Sequence, residues 1–470
     1  VEAGLKWQNR VSGRVDPDRL AVLRALPFVA GVEAFPRKAA PTPPPEPGPW
    51  EFPGLGKGSA LASGSADAPG YGALRTLMDS LGVARVHRWM ARRGMRPGEG
   101  VRIAVIDADF RLGHRSFDSL FAAGRIRDQW DFVDDRPLAA ARDFGDSHGA
   151  ACLSLIGAVQ PDTLVGAAPH AEFLLYRAED VSQERYVEED FVAAAIERAV
   201  DSGAGVISIS LGYRYGFTDG GGDYPYEWMD GRTRPSSLAA LGAARRNVLV
   251  VASVGNQDGD TPEEIPTLGA PADADSILAV GMVDALRRRC DYSCTGPSAD
   301  GRIKPDIMSM GPLGGCQVAV ARTGARASVV AGAGTSFGAP VIAGIAALLR
   351  QARPELSAEE ARRAILASGH RARHPDSRSG YGLADAWAAL HGPGNLPPPG
   401  GLILSLWHRG GRAAFALPWT PGNPARSVIV ADARGRRIPV AQRLDGGTLL
   451  LEPEGAVETG IYFVRARPGD

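Results

Sequence analysis

"GAGTSFGAPVIAGIAALL", residues 332–349, sets Ser336 among glycines just ahead of a long apolar run. Gly334-Thr335-Ser336-Phe337-Gly338 satisfies G-x-S-x-G, the sharp strand-to-helix elbow that exposes a nucleophilic serine. The same letters also suit a serine at the head of a helix in a hydrolase of different chain order. The two readings demand different folds. What separates them is where the acid and the histidine lie.

In the elbow fold, that of esterases and lipases, acid and histidine follow the serine. Asp376 or Asp385, then His391, are the candidates. Their segment, "ASGHRARHPDSRSGYGLADAWAALHGPG" (367–394), holds no strand on which to mount them. Upstream the picture is stronger. "IAVIDADF" (103–110) ends a buried strand with Asp107, at the carboxyl edge of a parallel sheet, where sites in such sheets gather. "DSHGAACLSLIGA" (146–158) places His148 at the start of an apolar helix pattern, and "VLVVASVGNQDG" (248–259) ends a strand with Asn256. The order Asp107, His148, Ser336 is the alternative order for the same chemistry.

With these four stretches the chain resembles the subtilisin-like serine peptidases, the subtilases. "GVISISLGY" (205–213), "GRIKPDI" (301–307) and "GYGLADAWAAL" (380–390) extend the likeness across residues 80–392. The resemblance implies an endopeptidase with Ser336 as nucleophile, His148 as general base and Asp107 orienting the imidazole. Asn256 and the Ser336 N–H would hold the oxyanion. Substrate backbone would pair with the strand around Ser210, Leu211 and Gly212, so the implied partners are polypeptides. The runner-up is a catalytically silent subtilase fold serving as a peptide-binding or adhesive module.

Two positions depart from the family pattern. Asp107-Ala108-Asp109 stands where Asp-Ser/Thr-Gly is common. Asp109 is expected to replace the glycine by tolerating left-handed backbone, and to favour protonated His148 through its charge. Phe337 stands where Met is usual; both are bulky and apolar.

The fold class follows from the strand candidates "VRIAVID", "AEFLLYRA", "GVISISL", "NVLVVASVG" and "SILAVGMV", which alternate with helix patterns such as "EEDFVAAAIERAVDSG". Continuous apolar strands between helices predict an α/β domain with a mainly parallel sheet covered on both faces. That domain spans 71–392. Residues 1–40 read as a helix followed by a strand and resemble the end of a prodomain, a folding aid and inhibitor. Residues 41–70, rich in Pro, Gly and Ser, are a linker, as are 393–400. Residues 401–470 alternate short strands with turns and predict a small β-sandwich, similar to accessory or sorting domains of exported bacterial proteins. "YGFTDGGGDYPYEWMDG" (215–231) is either a mobile cleft loop or a packed surface loop.

The 470 residues carry a formal net charge of −1, which argues against nucleic acid or an anionic membrane as partner. No apolar run reaches the ~20 residues that span a bilayer, and no signal peptide is read in this chain. The flanking pieces nonetheless favour an exported enzyme, secreted or held at the cell surface. Cys152 reads as a buried small hydrophobe. Cys290, Cys294 and Cys316 allow one disulfide with a thiol left over. No zinc spacing is present, and the chemistry needs no cofactor. "DFVDD" (131–135) and "DGDTPEE" (258–264) raise structural calcium without an EF-hand pattern to support it; solvated loops are the expectation.

Overall fold

The computed structural model describes most of residues 3–32, residues 70–392 apart from 139–142, 144, 146, 220–221, 257–264 and 315, and the strands between 402 and 468. The chain divides into two compact units, Val1–Pro393 and Gly394–Asp470.

The first unit begins with a hairpin, β1 (Ala3–Leu5) and β2 (Arg10–Ser12), and a short helix α1 (Leu20–Arg24). Of the stretch in which a strand was expected after that helix, residues 29–32 are described and carry no strand, and the residues beyond lie outside the described residues. Helices α2 (Arg75–Ser80) and α3 (Val83–Ala91) lead into β3 (Arg102–Asp107). Then follow α4 (Asp118–Ala122), β4 (Ile126–Asp131), α5 (His148–Gly157) and a hairpin of β5 (Val159–Gln160) and β6 (Leu164–Val165). The chain continues through β7 (Glu172–Arg177), α6 (Tyr186–Asp201), β8 (Val206–Ile209), α7 (Pro235–Ala244) and β9 (Leu249–Ser253). It closes with β10 (Leu278–Asp284), β11 (Ile307–Gly311), the pair β12 (Gln317–Ala321) and β13 (Val329–Ala333), and helices α8 (Ala339–Ala352), α9 (Ala358–Ser368) and α10 (Ala386–His391).

Seven strands form one sheet in the order β11-β10-β9-β8-β3-β7-β4, and each neighbouring pair is parallel. The apolar runs have a direct cause. Ile103 and Val105 of β3 point into one core with residues of α5 and α8, whereas Ala104 and Ile106 point into a second with residues of α6 and α7. Successive side chains on a strand face opposite ways, so a sheet covered on both sides needs apolar residues at every position. Each large side chain so buried stabilises by about 1.5–3 kcal/mol. The α/β class with a parallel sheet is therefore as expected.

Strand order also sets the place of the site. After β3 the chain crosses to β4 and β7 on one side, then returns to β8 on the other. The carboxyl ends of β3 and β8, in register at Ile106 and Ile209, thus lie at the point where winding reverses. Ligands of open α/β sheets bind at such a crevice.

Within 215–231, the described residues Phe217 and Tyr224 anchor the stretch by packing. Tyr186 stacks on Phe217 with centroids 4.3 Å apart, Tyr224 joins them, and the Arg234 guanidinium lies 3.7 Å from the Tyr224 ring centre. Cys290 and Cys316 form a disulfide, while Cys152 and Cys294 are free and buried.

The described residues of the second unit are all in strands. Its strands are β14 (Leu402–Leu404), β15 (Trp407–Arg409), β16 (Arg412–Pro418), β17 (Ala425–Asp432), β18 (Arg437–Ile438), β19 (Val440–Asp445), β20 (Thr448–Pro453) and β21 (Tyr462–Pro468). They pair as two antiparallel four-stranded sheets, β14-β21-β17-β18 and β15-β16-β20-β19.

Candidate active site

Asp107 is the last residue of β3 and is fully buried. Its Oδ1 lies 2.6 Å from His148 Nδ1 and accepts from the Ala108 N–H at 2.8 Å. His148 is the first residue of α5, whose N-cap Ser147 accepts from the Ala150 N–H. Gly149 has a steric reason: a Cβ there would meet the Asp109 carbonyl at 2.2 Å and Asp107 Cβ at 2.9 Å. Only glycine lets the head of α5 press this close to the end of β3. Burial works against charge on His148, but the Asp107 carboxylate overcomes it and holds the imidazole well above its usual pKa.

Ser336 lies in a 3-10 turn, Thr335–Phe337, immediately before α8. Its Oγ donates to the Ser210 carbonyl at 3.2 Å, and Ser210 Oγ donates to the Ser336 carbonyl at 2.8 Å. The Phe337 ring packs beside His148, centroids 5.7 Å apart. Asn256 follows β9. Its Oδ1 accepts from Thr335 N at 2.8 Å and Thr335 Oγ1 at 3.1 Å, fixing the amide against the serine turn. Gly334, at φ +130°, approaches the Asn256 amide: a Cβ there would sit 3.2 Å from Nδ2. With Oδ1 occupied by Thr335, Nδ2 remains to donate.

Asp107, His148, Asn256 and Ser336 thus gather at the carboxyl edge of β3, β8 and β9. Ser210 and Leu211 are buried and Gly212 is exposed. The segment then turns into the core at Tyr213, which exchanges backbone hydrogen bonds with Ala270.

Asp109 differs from its expectation. It is absent from the residues with positive φ, so left-handed backbone is not what the position requires. Its carboxyl is raised by burial first and then by Asp107, with Arg111 Nε at 3.9 Å acting the other way. The elbow alternative loses its residues to structural duties. Asp385 caps α10 through the Ala388 N–H, His391 Nδ1 bonds the Trp387 carbonyl at 3.1 Å, and Asp376 pairs with Arg371. In the 131–135 loop, Asp131 and Asp134 share Arg177 at 2.9 and 3.2 Å, and Asp134 also pairs with Arg136 at 2.8 Å. The acidic stretch 258–264 lies outside the described residues.

Three contributors were not read from sequence. Cys152, one turn along α5 from His148, has its Sγ 3.9 Å from His148 Nδ1 and 3.4 Å from the Ser336 carbonyl. Glu179, two residues past β7, is raised to about 7 by burial and then by Asp107, and accepts from Tyr213 at 3.4 Å. Thr335 is the third. The i, i+4 spacing of His148 and Cys152 was a legible signal for the first; the other contacts are made by chain crossings.

Residues 98–382 match the subtilase family, peptidase S8. Mycosin-4 of Mycobacterium tuberculosis is 28% identical over 326 residues, 62% of this chain and 65% of that protein, so the chain spans just under two thirds of that relative. Thermitase of Thermoactinomyces vulgaris is 28% identical over 54% of this chain and 75% of that protein. Among solved structures, MycP1 with its N-terminal propeptide removed superposes with a TM-score of 0.51 at 23% identity, covering 69% of this chain and 98% of that one. This last likeness speaks to the fold.

Proposed function

The chain belongs to the subtilase family of serine peptidases, and from that premise we propose that it is an endopeptidase acting through Asp107, His148 and Ser336. The observation that carries the reading is the 2.6 Å contact from His148 Nδ1 to a fully buried Asp107, at the sheet edge where Ser336 and Asn256 also lie. Buried Asp107 fixes the tautomer with the proton on Nδ1, which leaves Nε2 as the base. As Ser336 Oγ leaves the Ser210 carbonyl and attacks the scissile carbonyl carbon, Nε2 takes its proton and later hands it to the departing amine. The Asn256 Nδ2–H and the Ser336 N–H donate to the oxyanion, and the N-terminal end of α8 adds its positive dipole end. Water then cleaves the acyl-enzyme by the same steps in reverse roles.

Substrate backbone adds to the open edge at Ser210–Gly212, which gives affinity for extended polypeptide irrespective of sequence. The N-terminal hairpin acts as a prodomain remnant. In support, Leu5 is buried, the Lys6 and Trp7 N–H groups donate to Glu197 on α6, and Arg246 covers the Trp7 ring at 4.0 Å. The enzyme works outside the reducing cytosol, a reading supported by the Cys290–Cys316 disulfide. Among the described residues no helix is long and apolar enough to cross a membrane.

The deciding experiment is cleavage of a denatured, quenched protein substrate by the parent, His148→Ala and His391→Ala, each also after cutting within 41–70. Loss confined to His148→Ala is expected. Loss confined to His391→Ala would restore the elbow-type hydrolase, and an inert parent would return the binding-module reading.

A further inference from the structure

With the attacked carbonyl at Ser336 and its oxygen on Asn256, the substrate residue before the scissile bond lies between two chain segments. One is Gly212–Arg214, continuing from β8; the other is Gly255–Asn256, following β9. The backbone of 267–270 forms the floor between them. Tyr213 and Ala270 exchange hydrogen bonds on one side; on the other, the Thr267 N–H donates to the Thr295 carbonyl and the Cys294 N–H to the Gly255 carbonyl. Gly212 leaves the entrance open, since the Ala270 carbonyl, at 3.8 Å, is all that a Cβ there would meet.

Arg214 stands on this floor. It is 6% exposed, and its Nη1 donates to the carbonyls of Pro266 at 2.8 Å and Leu268 at 3.2 Å. Its Nε is buried with no hydrogen-bond partner, and Nη2 makes no hydrogen bond among the described residues. Those two nitrogens share one edge of the planar group, the fork that grips a carboxylate. Arg234, as deeply buried, shows the complete arrangement: its Nε and Nη2 hold Glu189 at 2.9 and 2.7 Å. Arg125 is also buried without an ion pair among the described residues, but its Nη2 is on Ser119 and it stands at the amino end of β4, the sheet edge opposite Ser336. No carboxylate among the described residues pairs with Arg214; Asp300 is held by Arg302, and Asp223 by the Gly216 N–H. A guanidinium stays charged at every working pH, and a buried charge without a counter-ion is costly. The rings of Tyr215 and Tyr226, centred 4.7 and 5.4 Å from the guanidinium carbon, steady the group without supplying a formal charge.

We infer that Arg214 selects an acidic side chain in the substrate residue that precedes the scissile bond. The inference rests on the endopeptidase reading above. Glutamate is favoured over aspartate because the fork lies at the floor of the crevice. A carboxylate on Nε and Nη2 completes the charge that the fold leaves open. An amide of the same shape brings one acceptor and no charge, and a lysine meets like charge. Asp258, Asp260, Glu263 and Glu264 precede Pro266 in sequence and lie outside the described residues. An internal partner among them would abolish the preference, which the test reads.

The test uses capped peptides, acetyl-Ala-Ala-Ala-X joined to a fluorogenic coumarin amide, with X as Glu, Gln, Asp or Lys. In the parent, kcat/KM for Glu should exceed that for Gln at least about tenfold, the scale of a charge-assisted hydrogen bond. Lys should be cleaved least. Arg214→Gln brings the Glu-to-Gln ratio to about one, Arg214→Lys keeps part of it, and Arg214→Glu favours Lys over Glu. The parent's own ratio is informative even if a variant fails to fold. Cleavage in which Gln equals or exceeds Glu leaves the endopeptidase reading standing and overturns the inference. So does a Glu preference that survives in Arg214→Gln. Where the parent cleaves none of the peptides, binding to Ser336→Ala decides, since it needs no turnover. Tighter binding of the Glu peptide, lost when Arg214→Gln is added, supports Arg214 as the carboxylate site while ending the endopeptidase reading. No difference between the Glu and Gln peptides overturns the inference there too.

Discussion

Ser336 and Ser210 hold each other: the Ser336 hydroxyl donates to the Ser210 carbonyl, and the Ser210 hydroxyl donates back to the Ser336 carbonyl at 2.8 Å. The hydroxyl proposed as nucleophile therefore rests on the backbone just past β8 rather than on His148. Catalytic hydrogen bonds commonly tighten only when substrate arrives. Ser210→Ala removes the returning bond and leaves the backbone edge for substrate intact. Because small misplacements of a nucleophile are costly, kcat should fall about tenfold to a hundredfold with KM nearly unchanged. Steady-state kinetics on one peptide decide it, and a change confined to KM would contradict the positioning role.

Asn256 is tied to the serine turn by its oxygen and left with its amide N–H groups to offer. Removal of an oxyanion-hole asparagine costs about 10² to 10³ in turnover, and Asn256→Ala should lose that much kcat. It should also lose about 1–2 kcal/mol of stability, since the Thr335 N–H and hydroxyl lose their acceptor. Thr335→Val separates the two effects: it removes the hydroxyl bond while Asn256 stays, so the stability loss should exceed the kinetic one. Turnover of Asn256→Ala equal to the parent would refute the assignment.

The parallel sheet and the gathering of four residues at its edge were legible because each has a one-dimensional signature. A strand buried on both faces must be apolar throughout, as Ile103 to Ile106 are, and its polar successor marks the carboxyl end. What was not legible depends on contacts between distant segments. Cys152 looks like any small apolar residue of α5 until β3 and the Ser336 turn are laid against it. Asp109 looked like a stand-in for a left-handed glycine, but backbone angle is set by the crossing of α5 over β3, and there the tight fit falls on Gly149. The 215–231 stretch is glycine-rich enough to suggest motion, but its Phe217 and Tyr224 are held by Tyr186 and Arg234, which lie outside it.

Asp109 still bears on pH dependence through charge. Its carboxyl lies in the field of Asp107 and His148. A carboxylate there favours the imidazolium, so it raises the pKa of His148, and the base is unprotonated only at higher pH. Asp109→Asn keeps the shape and removes the charge. The acid limb of the kcat/KM profile should then move to lower pH, by a few tenths of a unit to about one unit. A limb that stays in place, or moves upward, would show that solvent and Arg111 cancel the interaction.

The carboxyls of Glu179, Glu184 and Glu188 crowd the segment between β7 and the start of α6, and they make the folded state hold protons that the unfolded chain would release. Burial is the first cause for each, with neighbouring carboxylates adding to it; Glu179 is raised to about 7, Glu184 to about 9 and Glu188 to about 8. The sign follows from linkage. Folded-state pKa values above the unfolded carboxylate range mean that stability is full at acid pH and is lost as pH rises through the folded values. Each group contributes a slope of up to about 1.4 kcal/mol per pH unit between its two pKa values. Glu188 also caps α6 through the Arg185 N–H at 2.7 Å, so replacing it would confound charge with capping. Glu184 makes no side-chain hydrogen bond among the described residues, which makes Glu184→Gln the cleaner substitution. Thermal unfolding of the parent should weaken steadily from pH 5 to 9. The variant should match it near pH 5 and exceed it increasingly toward pH 9; parallel curves would mean that the Glu184 carboxyl is solvated in the folded protein.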